Sequence, residues 1–457
     1  MSSHLKKRHL LVVNGSRDLP DLACQAEPGL RLTIITRVSM LDRVWDPDKY
    51  ERIVALPRRA SESEWLVTAQ LVHSTDPFDA IVNFTENDQL ATATIGEALG
   101  LKTYRRDTAL AVNDKNLMRQ RLRDAGVDDT PSARVHTQDE LDAAANRFGY
   151  PLICKPVSGV GSQGVTKLTR PADTEHAFSW ARDAARSSSS EALIVERYYA
   201  GAEYSVECVS EGSRHVVVGI TEKHTDPASY MELGHVVPAP IDDATTSRIV
   251  DTVVRALDAL GVTDQATHTE VIVTDDAVRI VETHLRCGGG GIVAMLKEIK
   301  GVDMPVAPAR QSLGLSVIDE VADAVRHYAE SGTRRSAASW HATLPSHGTV
   351  RRVRGEADAW GGEGIYDVKI LRKPGTRVEG LTGNYSRGAI VWAVGENAEQ
   401  ALARARSSAS MLTFEMSDVG PHGQGSDKVS DSATDYVTTE ATAANSADGT
   451  LAAPVRP

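Results

Sequence analysis

Cysteine is scarce in this chain: Cys24, Cys154, Cys208 and Cys287 are the only four in 457 residues. They lie far apart, with no CxxC pair, which excludes a zinc-type spacing. Cys154 and Cys208 sit inside apolar stretches, where a free thiol behaves as a small core residue. A reducing cytoplasm is the expected location. Long hydrophobic runs are also missing. Near the N-terminus only Leu10 to Val13 are continuously apolar, too short for a signal-peptide core, and no later stretch approaches a membrane span. Excess positive charge is absent too, since 50 Lys and Arg face 62 Asp and Glu, a net charge of −12. That balance argues against a nucleic-acid partner, which needs a basic face. No period of twenty to fifty residues recurs, so a solenoid is excluded. With 41% hydrophobic and 25% charged residues, the composition is that of a globular protein long enough for two or three domains.

The first hundred residues alternate short β-branched runs (His9–Val13, Leu32–Thr36, Arg52–Leu56, Ala80–Phe84) with a helical pattern at Ala91–Leu99. Such alternation predicts a parallel sheet that receives ligands at its strand carboxyl ends. Asn14-Gly15-Ser16 and Thr85-Glu86-Asn87 follow two of those strands. Asn113 reads as the N-cap of a helix ending near Ala125, and Thr137 with Glu140 as a capping box for another. Strands and helices then alternate to Leu315, and a mixed pattern follows from Trp340 to Met416. The last 41 residues contain no Ile, Phe, Trp, Met or Cys and read as a disordered tail.

Three segments carry chemistry. In the first, Lys155 ends a strand and is followed by Pro156 and the loop Ser158-Gly159-Val160-Gly161-Ser162-Gln163-Gly164. A fixed cation beside glycine backbone N–H groups suits an anion. The lysine precedes the glycines, so this is not a Walker A loop. In the second, a strand ends at Glu196, passes Tyr198 and Gly201, and resumes at Glu203. That geometry offers backbone groups to a planar base and a carboxylate to ribose hydroxyls. In the third, a three-residue loop at Asp275–Ala277 pairs Thr274 with Val278, Ile272 with Ile280 and Glu270 with Glu282. Two carboxylates then oppose each other at a Cβ separation of about 5 Å, on a face shared with Val278 and Ile280. A divalent cation would relieve their repulsion. Period-two alternation adds His284 and Arg286, and Gly288 to Gly291 precede a helix whose N-terminus suits a carboxylate or phosphate.

In this order, the segments resemble the ATP-grasp superfamily from about Asn113 to Ile292. Glu282-Thr283-His284-Leu285-Arg286 followed by glycines is most similar to the carboxylate–amine (L-amino acid) ligases that form dipeptides. The resemblance implies a mixed α/β and α+β architecture: a Rossmann-like pre-ATP-grasp domain over 1–112, a nucleotide-binding core over 113–315 with a lid at about 130–205, and a C-terminal α+β part over 316–416. The tail then occupies 417–457. It implies ATP and magnesium as cofactors, two ions with manganese able to substitute. Lys115 and Lys155 would hold phosphates under a closing loop that includes Ser158, Gly161, Ser162 and Gly164. The backbone at Glu196 and Tyr198 would hold adenine, and Glu203 the ribose. Glu270, Glu282 and His284 are the implied metal ligands, although much of the superfamily has Asn where His284 stands. Arg286 and Lys155 are the implied catalytic residues. Glu86, Lys223, Tyr230, His235, Arg286, Gly288 and Gly289 are candidates for the substrate pocket. Ligases with this wording often carry an acid within the glycine run, where this chain has Gly290. The implied partners are a small carboxylate and an amine, both amino acids, with a homodimer as the assembly. The implied reaction is amide formation through an acyl phosphate; an ATP-grasp carboxylase, a formate-dependent transferase and a non-catalytic ATP sensor are the alternatives.

Overall fold

The computed structural model describes residues 7–15, 19–44, 46–159, 163–186, 190–226, 231–378 and 386–417. Ser16, Gly161, Ser162, Tyr230 and the expected disordered tail beyond Ser417 lie outside the described residues.

His9–Val13, Arg31–Arg37, Arg52–Leu56 and Ala80–Val82 form a four-stranded parallel sheet. The Arg52 strand is at one edge, followed in space by the Arg31, His9 and Ala80 strands. The chain leaves the His9 strand in one direction and returns on its other side. The loops after His9–Val13 and Ala80–Val82 therefore flank a switch-point crevice. The strands are continuous apolar runs because helices cover both faces, and Leu10 to Val13 are fully buried. One of those helices comes from far along the chain: Val306, Ala309 and Leu313 pack into this sheet's core.

A second, four-stranded sheet is antiparallel, ordered Ser132–Val135, Leu193–Arg197, Leu152–Pro156, Thr166–Leu168. Helices Gln138–Phe148 and Thr174–Ala185 bury Leu141, Ala145, Ala177 and Ala181 against it. The largest sheet has eight antiparallel strands. In order they are Val278–His284, Gln265–Val273, Ala202–Glu211, Arg214–Thr225, Glu232–Val237, Ser336–Thr343, Arg387–Gly395 and Ile365–Ile370. It crosses residue 315 without a break, because Glu232–Val237 pairs directly with Ser336–Thr343. No helix among the described residues is long and apolar enough to cross a membrane.

Several local expectations need correction. Asn113 is the last residue of helix Arg106–Asn113; Asp114 caps the next helix, Lys115–Asp124, by accepting from the Asn116 and Leu117 N–H groups. A single oxygen of Asp114, Oδ1, takes two of the orphan donors. Thr137 caps its helix by accepting from the Glu140 N–H, while the Glu140 carboxylate turns to the His136 N–H, so the box is only half made. The Glu270 hairpin has a four-residue turn, with Val273 opposite Val278 and Val271 opposite Ile280. An irregularity at Val281 then restores Glu270 opposite Glu282. This β-bulge transfers Glu282 to the face opposite Ile280. Val278 and Ile280 therefore do not share the carboxylates' face; they enter the helix-covered core with Val271 and Leu285.

Candidate active site

Strand alternation builds the site on one face of the large sheet. Tyr204, Val206, Cys208, Ile220, Val271 and Leu285 point into the core beneath the helices. Their neighbours Glu203, Glu207, Lys223, His268, Glu270, Glu282 and His284 are thereby turned to the other face. Registers confirm the rows: Glu270 lies opposite Glu282 and His268 opposite His284, while His235 lies opposite Lys223.

Each carboxylate of the pair has its own cation. Lys115 Nζ stands 2.9 Å from Glu282, and Lys223 Nζ stands 2.9 Å from Glu270. Lys223 also pairs closely with Glu203. Burial opposes ionisation of both acids. Lys115 and His284 outweigh it at Glu282, and Lys223 does so at Glu270, so both stay below the usual carboxylate range. His284 is held between two acids, with Nδ1 3.0 Å from Glu86 and Nε2 3.1 Å from Glu282. Its burial disfavours charge, but Glu86 and Glu282 prevail and raise its pKa. Among the described residues, no three His, Cys, Asp or Glu side chains converge as a ready-made metal cage. The opposed pair nevertheless fits magnesium, which takes one or two carboxylates and completes its shell with phosphates and waters.

On the lid side, Lys155 Nζ lies 2.6 Å from Glu196, whose other oxygen accepts from Arg119 Nε at 2.8 Å. The Glu196 side chain is thus an internal anchor for Lys155. Burial opposes its charge, yet Arg119 and Lys155 hold its pKa at about 2. The Tyr198 N–H is already donated to the Pro151 carbonyl, so Tyr198 presents its ring, with Lys167 Nζ 3.7 Å from the centroid. Ser158 Oγ donates to the Asn113 carbonyl at 2.9 Å, and Lys115 Nζ donates to that of Gly159 at 3.3 Å. Gly164 must be glycine: φ is +73°, and a Cβ would come within 2.7 Å of the Ala184 Cβ.

Toward the parallel sheet, Arg286 donates to Glu86 from Nε and Nη2 at 3.0 and 2.6 Å. The Gly288 N–H, expected to be free for substrate, is committed to Glu207 at 2.8 Å. Glu207 also pairs closely with His268 Nδ1, and His268 Nε2 reaches Glu270 at 3.4 Å. The Gly289 carbonyl accepts the first helical N–H, from Ile292. His235 packs against Gly290, where a Cβ would approach its ring within 2.6 Å. Glu207, His268 and Arg119 were not anticipated. Period-two spacing from Glu203 and Glu270 could have flagged the first two; nothing local marks Arg119.

The buried histidines have a consequence for stability. Burial pushes His235 down to about 4 and His341 well below its ordinary value, so both are neutral in the fold. Below pH 6.5 the unfolded chain takes up protons that the folded chain refuses. Stability is therefore expected to fall between pH 6.5 and about 4, His235 alone accounting for about 3 kcal/mol. Thermal unfolding across that window should show a shallower acid-side loss in His235→Gln than in the wild type.

Two family models match the chain. The ATP-grasp domain matches residues 148–294, and L-amino acid ligase C-terminal domain 2 matches residues 340–417. The chain carries an ATP-grasp domain. The ATP-grasp fold extends over most of it: the crystal structure of an L-amino acid ligase from Bacillus licheniformis superposes with a TM-score of 0.77, covering 90% of this chain and 99% of that one at 21% identity. Phosphoribosylglycinamide synthetase from Anaerococcus prevotii gives 0.67 over 90% and 100% at 14% identity. Among curated proteins, alanine–anticapsin ligase of Bacillus subtilis is 28% identical over 261 residues, 52% of this chain and 55% of its own length. The large chain of carbamoyl phosphate synthase from Ralstonia nicotianae is 24% identical over 55% of this chain and 24% of its own. The chain thus spans about half the length of the curated ligase it matches, and less of the synthase.

Proposed function

We propose that this ATP-grasp protein is a magnesium- and ATP-dependent carboxylate–amine ligase that joins two amino acids. The observation that carries the reading is the Glu270–Glu282 pair. It lies between the Lys115/Lys155 side, suited to phosphates, and the Arg286–Glu86 side beneath the parallel sheet's crevice. Alanine–anticapsin ligase and L-amino acid ligase, named among its relatives, support the substrate class. We divide the chain accordingly into 1–112, 113–315 and 316–416.

A substrate carboxylate oxygen attacks the γ-phosphorus of ATP, and ADP leaves with the bridging oxygen's electrons. An amine then attacks the acyl-phosphate carbon, phosphate leaves, and an amide remains once the amine has lost its proton. Lys115 and Lys155 hold phosphate oxygens, while Arg286 neutralises charge on the transferring group or on the tetrahedral oxyanion. The loop through Ser158 and Gly164 closes over the phosphates and keeps water from the acyl phosphate. Glu203 accepts from the ribose. Glu270 and Glu282 would hold magnesium, which would supply Lewis-acid neutralisation of phosphate charge. His284, bonded through both ring nitrogens, orients Glu282 and Glu86 in place of the ligand role suggested by its position in the sequence. Lys223 and His235 line the amine side.

ADP and phosphate release, screened against pairs of amino acids with mass-spectrometric detection of dipeptide, tests the proposal. ADP formed only when both an acid and an amine are present is the expected result. Bicarbonate or formate dependence, or turnover without amine, would overturn it.

A further inference from the structure

Arg119 is 3% exposed and lies four residues after Lys115 on the helix Lys115–Asp124, so both side chains project from the same helix face. Lys115 reaches Glu282. Arg119 reaches the residues just before it, donating from Nη1 to the Ile280 carbonyl at 2.5 Å and from Nη2 to that of Val281 at 3.2 Å. These carbonyls belong to the bulge that turns Glu282 onto the site face. The third donor, Nε, goes to Glu196, which holds Lys155 through its other oxygen. Asp128 fixes the same bulge from its donor side, accepting the Ile280 N–H at 2.8 Å.

A buried guanidinium could serve stability alone, but three ordinary features count against that here. Its planar fork fits two successive carbonyls and a carboxylate at once, which an ammonium cannot do. Both carbonyls lie where the ladder is irregular, so strand pairing does not fix them. The carboxylate it grips belongs to another sheet and carries a phosphate-binding lysine. We propose that Arg119 is a positioning residue that ties the Val281 bulge to Glu196, and so fixes Glu282 and Lys155 relative to each other across the nucleotide site. It touches neither nucleotide nor metal; it acts through the groups that do.

The proposal rests on the ATP and magnesium reading above, and its test separates the two. Arg119→Lys is compared with wild type by thermal unfolding, by calorimetric binding of ADP with Mg2+, and by ADP release at varied Mg2+ and ATP. The dissociation constant for MgADP and the half-saturating Mg2+ are expected to rise together, about tenfold, as when other outer partners of metal ligands are changed. The rate at saturation should change less than about threefold. A purely structural Arg119 would lower the melting temperature and the active fraction with both constants unmoved, which would overturn the proposal. If Arg119→Lys does not fold, Asp128→Asn decides: it should move both constants in the same direction, and unmoved constants there would also overturn it. If wild type yields no amide but MgADP binding still weakens in the variant, the ligase reading fails and the role of Arg119 stands.

Discussion

Glu282→Gln is expected to lower amide formation at least about a thousandfold, or ~4 kcal/mol of transition-state stabilisation. The amide keeps the size of the carboxylate, but its single oxygen can replace only one of the two that now face Lys115 and His284 at 2.9 and 3.1 Å. What it loses is the negative charge opposite Glu270. The site would keep Lys115, Lys223 and His284 with one carboxylate fewer, shifting its balance against a cation. The variant is preferable to Glu282→Ala because it leaves no cavity beside the buried lysine. Steady-state ADP release at saturating ATP and Mg2+, with the melting temperature recorded in parallel, checks the result. A loss below about tenfold in a folded variant would mean that Glu282 does not carry the metal.

The second large effect is on stability. Gly291 starts the helix Ile292–Lys300 with φ at +79°, and a Cβ there would come within 2.0 Å of Trp392 Nε1. Trp392 is 3% exposed in the strand Arg387–Gly395, so its ring has little room to withdraw. Gly291→Ala is expected to cost about 3 kcal/mol or more, combining a left-handed backbone penalty with overpacking. Gly301 provides the control, because its φ is +71° but a Cβ there meets nothing within 4 Å. Gly301→Ala should show only the backbone part, about 1 kcal/mol. Chemical denaturation of both variants separates the two contributions. Equal losses would show that the Trp392 contact is not tight.

Much of the local structure could be read from the chain. His9–Val13 and Arg52–Leu56 have the observed boundaries, because continuous β-branched runs between turn residues leave little alternative. The opposition of Glu270 and Glu282 was also anticipated, but through two compensating errors. The turn is one residue longer than expected, and the bulge at Val281 adds one residue back. Neither is marked locally: the bulge residue is valine rather than glycine, and what holds it is Arg119, 162 positions away in sequence from the carbonyl it binds. The Glu86–Arg286 contact spans 200 positions. Such pairings follow from how sheets stack, which period and propensity do not encode.

The eight-stranded sheet sets a limit on dissection of the molecule. A fragment ending near residue 315 would remove Ser336–Thr343 and the strands beyond it, leaving Glu232–Val237 as a raw border. Val236 and Val237, now buried, would become part of an unpaired edge that can template strand addition from another copy. Such a fragment should self-associate instead of behaving as a minimal nucleotide-binding module. The C-terminal region is the cover that closes the sheet bearing Glu270 and Glu282.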